Sequence, residues 1–93
     1  RAHHREAEVQ KMNLLNVYPD SGNGIFDISL DGSDLQNVVV EVYNNAGKLV
    51  FMDQYVNIPG VNHTLYLNNL ESGIYFLNLK TDEESFNRNL IIR

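Results

Sequence analysis

The 93-residue chain contains no cysteine and no tryptophan, only two prolines, and seven basic residues against twelve acidic ones. Without cysteine there is no disulfide framework and no thiolate chemistry, so the core must hold by packing alone. That absence is compatible with export as well as with the cytoplasm. No apolar run approaches the ~18 residues of a membrane-spanning helix, and residues 1–12 are the opposite of a signal-peptide apolar core. The chain therefore reads either as intracellular or as the mature or C-terminal part of a longer protein, and we favour the second. Residues 13–93 hold four bases, Lys48, Lys80, Arg88 and Arg93, against ten acids. A protein that grips a nucleic-acid backbone needs clustered lysine and arginine to displace counterions. Single, scattered bases argue against that class. At this length one domain with a modest core is expected.

Catalytic chemistry is equally scarce. His63 is the one histidine in the part expected to fold, beside Thr64 in a predicted strand, and no nucleophile-elbow motif accompanies it. It reads as a surface strand residue. Asp20, Asp31 and Asp34 fall in turn sequences, where a short acceptor side chain caps backbone N–H groups ahead of any acid/base work. Asp31-Gly32-Ser33-Asp34 lacks the acidic spacing and terminal Glu of a calcium loop. His3 and His4 are neighbours that point apart, with no third ligand in reach. No enzyme activity, metal or cofactor is expected. Tyr18, Tyr43, Tyr55, Tyr66 and Tyr75 raise one alternative, a platform for stacking on sugars. Against it stands the ordinary preference of tyrosine for half-buried strand positions with a wet hydroxyl. Asn62-His63-Thr64 matches a glycosylation sequon, which matters only in a eukaryotic secretory context.

What is present is a rhythm of short strands. Residues 1–13 are polar and without an apolar stripe, and read as a linker or an expression remnant. From Leu14 onward, apolar runs are separated by turn signals about every 8 to 12 residues, the signature of an all-β sandwich or barrel. Residues 14–18 form a candidate strand stopped by Pro19, and Asp20-Ser21-Gly22-Asn23-Gly24 is a dense turn signal. Phe26, Ile28 and Leu30 then alternate with Asp27 and Ser29. Residues 38–43 are the most β-branched and read as the most central strand. Asn44-Asn45-Ala46-Gly47 closes a hairpin into residues 48–56, with Leu49, Phe51 and Tyr55 on one face, and Ile58-Pro59-Gly60 ends it. Residues 63–67 lead to an Asn68-Asn69 corner. In the last hairpin Gly73 supplies a tight turn, Tyr75, Leu77 and Leu79 share a face, and residues 86–92 return. About seven strands, joined by short turns, predict an immunoglobulin-like antiparallel β-sandwich. The chain stops on apolar Leu90-Ile91-Ile92-Arg93 where most termini fray, so this segment is expected to be docked, read by a partner, or both.

Three segments in order go further: Val17-Tyr18-Pro19-Asp20-Ser21-Gly22-Asn23-Gly24, Val40-Glu41-Val42-Tyr43-Asn44-Asn45-Ala46-Gly47-Lys48-Leu49-Val50, and Leu67-Asn68-Asn69-Leu70-Glu71-Ser72-Gly73-Ile74-Tyr75-Phe76-Leu77 running on to Leu90-Ile91-Ile92-Arg93. Together they resemble the C-terminal sorting domain, type A, of the type IX secretion system of Gram-negative bacteria, over essentially all of residues 14–93. The family usually reads Tyr-Pro-Asn-Pro at the first motif, whereas Asp20 and Ser21 follow Pro19 here. It often places Lys before the closing aliphatics, where this chain has Asn89.

The resemblance implies a non-enzymatic export signal fused behind a larger cargo. Such a domain is recognised by the outer-membrane translocon with shuttle and sortase components, after transit through the periplasm. It is typically removed by a sortase-type cysteine peptidase as the cargo is anchored at the cell surface or released. The cut is expected within residues 1–13. Leu90, Ile91, Ile92 and Arg93 are the expected recognition residues, offering an edge to a partner sheet. Tyr18, Pro19, Gly24, Gly47, Gly73 and Tyr75 are expected to be structural, the glycines as turn positions. An apolar edge strand also carries a self-pairing hazard, so an edge-strand dimer is a further expectation. The rival readings are a carbohydrate-binding or adhesive module of a secreted enzyme, and a fibronectin-like spacer.

Overall fold

Alternate residues of a strand turn to opposite faces, so the apolar member of each pair selects the side that packs. The computed structural model describes residues 15–19, 21–31 and 35–93. Within them lie eight strands: β1 Leu15–Tyr18, β2 Ser21–Gly22, β3 Ile25–Leu30, β4 Gln36–Tyr43, β5 Leu49–Ile58, β6 Val61–Tyr66, β7 Gly73–Lys80 and β8 Ser85–Ile92. The linker expected over residues 1–13, the His3-His4 pair and the turn aspartates Asp20 and Asp34 lie outside the described residues.

The strands form a three-stranded sheet in the order β1-β3-β6 and a five-stranded sheet in the order β2-β8-β7-β4-β5. This is the strand arrangement of an immunoglobulin-type sandwich. Phe26, Ile28 and Leu30 from β3, Val38, Val40 and Val42 from β4, Leu77 and Leu79 from β7, and Leu90 and Ile92 from β8 are buried in one core. Burying each such side chain contributes about 1.5–3 kcal/mol, which is what a cysteine-free domain has in place of cross-links. The alternation read in the sequence for β3 and for Tyr75, Leu77 and Leu79 is the alternation of the core.

Three strand-level expectations change. The segment read wholly as a turn contains β2, whose Ser21 and Gly22 pair in parallel with Ile91 and Ile92. Among the described residues the sandwich thus has eight strands, in keeping with the seven or so expected, and its β2–β8 pairing is parallel where the others are antiparallel. The middle of the larger sheet is β7, with β4 beside it; β-branched content marks a strand flanked on both sides and does not rank it within the sheet. Leu49 leaves the face of Phe51 and Tyr55. A register shift between Val42 and Tyr43 sets Phe51 opposite Val42 but Leu49 opposite Tyr43, and one extra residue in a strand reverses its alternation. Leu49 is accordingly exposed, whereas Phe51 and Tyr55 pack on the core. A second shift, between Gln36 and Val38, faces the stretch of β5 where Asn57 adopts φ 61°, a left-handed conformation asparagine tolerates.

Between β1 and β2 the chain passes from one sheet to the other at Pro19, where the Tyr18–Pro19 peptide is cis. That crossing shapes the edge described next.

Candidate functional site

β8 pairs along its whole length with β7. On its other side β2 covers only Ile91 and Ile92. The pleat divides the four residues expected to be read by a partner. Leu90 and Ile92 point into the core, 0% and 3% exposed, whereas Ile91 is 43% exposed and Arg93 is exposed. Arg93 is held in place twice over: its backbone N–H donates to the Gly22 carbonyl at 2.8 Å, and its Nε donates to Ser21 Oγ at 2.8 Å. Ile91 sits opposite Ile74 of β7 on the outer face of the sheet, with Phe76 two residues further along β7. All three are exposed, an apolar patch beside a cation.

Upstream of Ile91 the edge opens. Because β1 belongs to the other sheet, it diverges from β8 and leaves a cleft of about 550 Å³ lined by Leu15, Asn16, Val17, Asn87, Arg88 and Asn89. Arg88 crosses this cleft. Its Nη2 donates to the Leu15 carbonyl at 3.1 Å and its Nη1 to the Asn87 carbonyl at 2.8 Å. In the sequence Arg88 is one of four scattered bases, since the approach of β1 to β8 is a tertiary contact with no local signal.

The expected structural residues occupy distinct positions. Gly24 is buried with φ +103°, and a Cβ there would come within 2.6 Å of the Asn68 Cα; its carbonyl accepts from Leu67 N–H at 2.7 Å. Gly47, φ +83°, ends the turn whose Asn44 Oδ1 accepts from Ala46 and Lys48 N–H, both at 2.9 Å. Gly73 opens β7 with open space around it. Tyr75 is buried, and its hydroxyl donates to the Glu71 carbonyl at 2.7 Å, the tyrosine corner of sandwich folds. Pro19 is half-buried and Tyr18 is exposed.

The five tyrosines do not converge on one platform. Tyr18 and Tyr66 are exposed on the outer face of the three-stranded sheet, and Tyr75 is in the core. Tyr43 lies on the outer face of the other sheet, where its hydrogen bond to Glu41 at 3.1 Å, with burial and the carboxylate's charge, raises its pKa. Glu41 also pairs with Lys80 at 3.4 Å. Tyr55 stacks on His63 at the seam between β5 and β6, ring centroids 4.2 Å apart and planes 2° from parallel. Burial first, then a hydrogen bond to Asp53, pushes the Tyr55 phenol up to about 12. Among the described residues no three metal-ligating side chains gather.

A family model described as the secretion system C-terminal sorting domain matches residues 16–93. No curated protein matches the chain.

Proposed function

The chain belongs to the secretion system C-terminal sorting domain family, and we propose that the exposed side of β8 is what the secretion machinery reads. A domain of this family is a sorting signal for type IX secretion, fused to a cargo, recognised by the secretion machinery, and directing export to the cell surface or the medium. The sorting domain is not itself a catalyst. In our reading Ile91 and Arg93 are the contacting side chains, and Leu90 and Ile92 act from within by holding the strand in register. The translocon, shuttle and sortase components are the partners, met after transit through the periplasm. Cleavage falls within residues 1–13 as the cargo is anchored or released. The observation that carries this reading is the alternation at β8, which leaves Ile91 and Arg93 outward beside Ile74 while the core keeps their neighbours.

The test follows from the same alternation. Residues 13–93 are fused behind an exported fluorescent reporter in a bacterium with a working type IX system. The intact fusion is expected at the surface or in the medium. Ile91→Ser with Arg93→Glu leaves every core side chain in place and removes only the bond to Ser21 and the pairing with Ile74, so the domain should stay folded at a cost of about 1–2 kcal/mol while export drops. Deleting residues 90–93 is a poorer probe, because it also removes Leu90 and Ile92 from the core. Leu90→Ala alone is expected to cost about 2–5 kcal/mol. Export of the outward double variant at the parental level would sink the assignment of these two residues.

A further inference from the structure

The backbone parity of β8 identifies what its open edge can accept. The Arg93 N–H donates to Gly22 across the β2 side, and amide direction alternates along a strand. The odd-numbered residues of β8 therefore direct N–H and C=O away from β7, and the pairing with β7 runs without a register shift. Asn87 and Asn89 thus present amides and carbonyls to the cleft, where among the described residues no strand pairs with them and the Asn87 carbonyl is met only by the Arg88 side chain. The Leu15 carbonyl, reached by Arg88, also faces the cleft. A cleft with strand backbone on one wall is a template for one more strand.

The charge of the cleft selects the occupant. Among the described residues the bases are Lys48, Lys80, Arg88 and Arg93, and Lys80 is already near Glu41. Both arginines belong to the β8 edge, and neither β1 nor β8 contains an acid. In a chain of formal charge -5, both guanidinium groups of the described residues lie at this one seam. Arg88 spends its hydrogen bonds on two neutral carbonyls, and a carboxylate is the stronger, bidentate partner for that group. A second copy meeting edge to edge would bring arginine to arginine with no acid on either β8.

We propose that the cleft between β1 and β8 is the docking site for an extended, carboxylate-bearing polypeptide segment of the secretion machinery, which adds as a strand along Asn87 and Asn89 and takes Arg88 from Leu15. The proposal rests on the reading that this machinery recognises β8.

The probe is a capped heptapeptide of alternating valine and glutamate, with a valine and lysine heptapeptide as its counterpart, titrated into the isotope-labelled full chain. The Asn87 and Asn89 amides are expected to shift and to exchange more slowly. The glutamate peptide should bind roughly five- to tenfold tighter, with the difference collapsing in ~1 M salt. Arg88→Gln should erase the preference between the peptides. Asn89→Pro removes an N–H that β7 does not use, a substitution edge strands tolerate, and should abolish binding while the β7 amides stay unshifted. Equal binding of both peptides, shifts confined to another face, or protection of Asn87 and Asn89 without peptide, as in a self-paired dimer, would overturn the proposal. In the reporter assay, Asn89→Pro should reduce export. If Ile91 and Arg93 matter to export but Asn89→Pro does not, strand addition is wrong and the recognition of β8 stands. If the unaltered fusion is not exported, the reading of β8 fails, and the machinery is removed as the occupant.

Discussion

Gly24 and Gly47 look alike in the sequence, each closing a polar turn, yet they are required for different reasons. Gly24 lies where the chain after β2 crosses under the Asn68 corner, with no room for a Cβ and a left-handed φ besides. Gly47 has a left-handed φ and open space. Gly24→Ala is therefore expected to cost roughly 3 kcal/mol, combining backbone displacement with strain, and Gly47→Ala about 1 kcal/mol, strain alone. Urea unfolding midpoints at neutral pH compare the two directly. Equal losses would mean that the approach of Asn68 relaxes without resistance. The turn chemistry of both glycines was legible from neighbouring residues; the difference between them depends on a segment far along the chain.

Among the elements, β5 and β6 meet at the seam opposite β8, and there the stacked pair Tyr55 and His63 joins one sheet to the other. Tyr55 titrates near 12 in the folded chain against an ordinary 10.0. The protonated phenol is thus favoured by folding. Its contribution is complete below about pH 10 and is lost as pH rises toward and through 12. Denaturant unfolding across this range should show the parent losing stability more steeply than Tyr55→Phe, and parallel profiles would refute the assignment. The faces of β5 illustrate what short-range reading can do. Phe51 and Tyr55 were assignable by alternation, but Leu49 was not, because the register shift beside Tyr43 is imposed by the pairing with β4 and leaves no mark in the spacing of β5 itself. β8 is less legible still: Leu90-Ile91-Ile92 is apolar throughout, so neither its inward residues nor its partial cover by β2 can be read from the strand itself.

Across the whole molecule, pairings such as β2 with β8 and β3 with β6 join segments distant in the chain. Loop closure must precede the contacts that reward it, and β-sandwiches fold in roughly milliseconds to seconds. Stopped-flow refolding should fall in that window; completion within the mixing time would contradict a barrier dominated by distant pairing. The class of fold, most of the turns, most of the buried faces and, through three ordered motifs, the family were legible in the residue order alone. All of these rest on period-two alternation, turn chemistry or residue order, which are written into short stretches of chain. It took the assembled sheets to make Ser21 and Gly22 a strand, to set Leu90 and Ile92 in the core while Ile91 and Arg93 face outward from a partly covered edge, and to place Arg88 across two sheets. These outcomes depend on which strand lies beside which. That choice is made by the shared core of both sheets and by the crossing at Pro19, and no single segment encodes it.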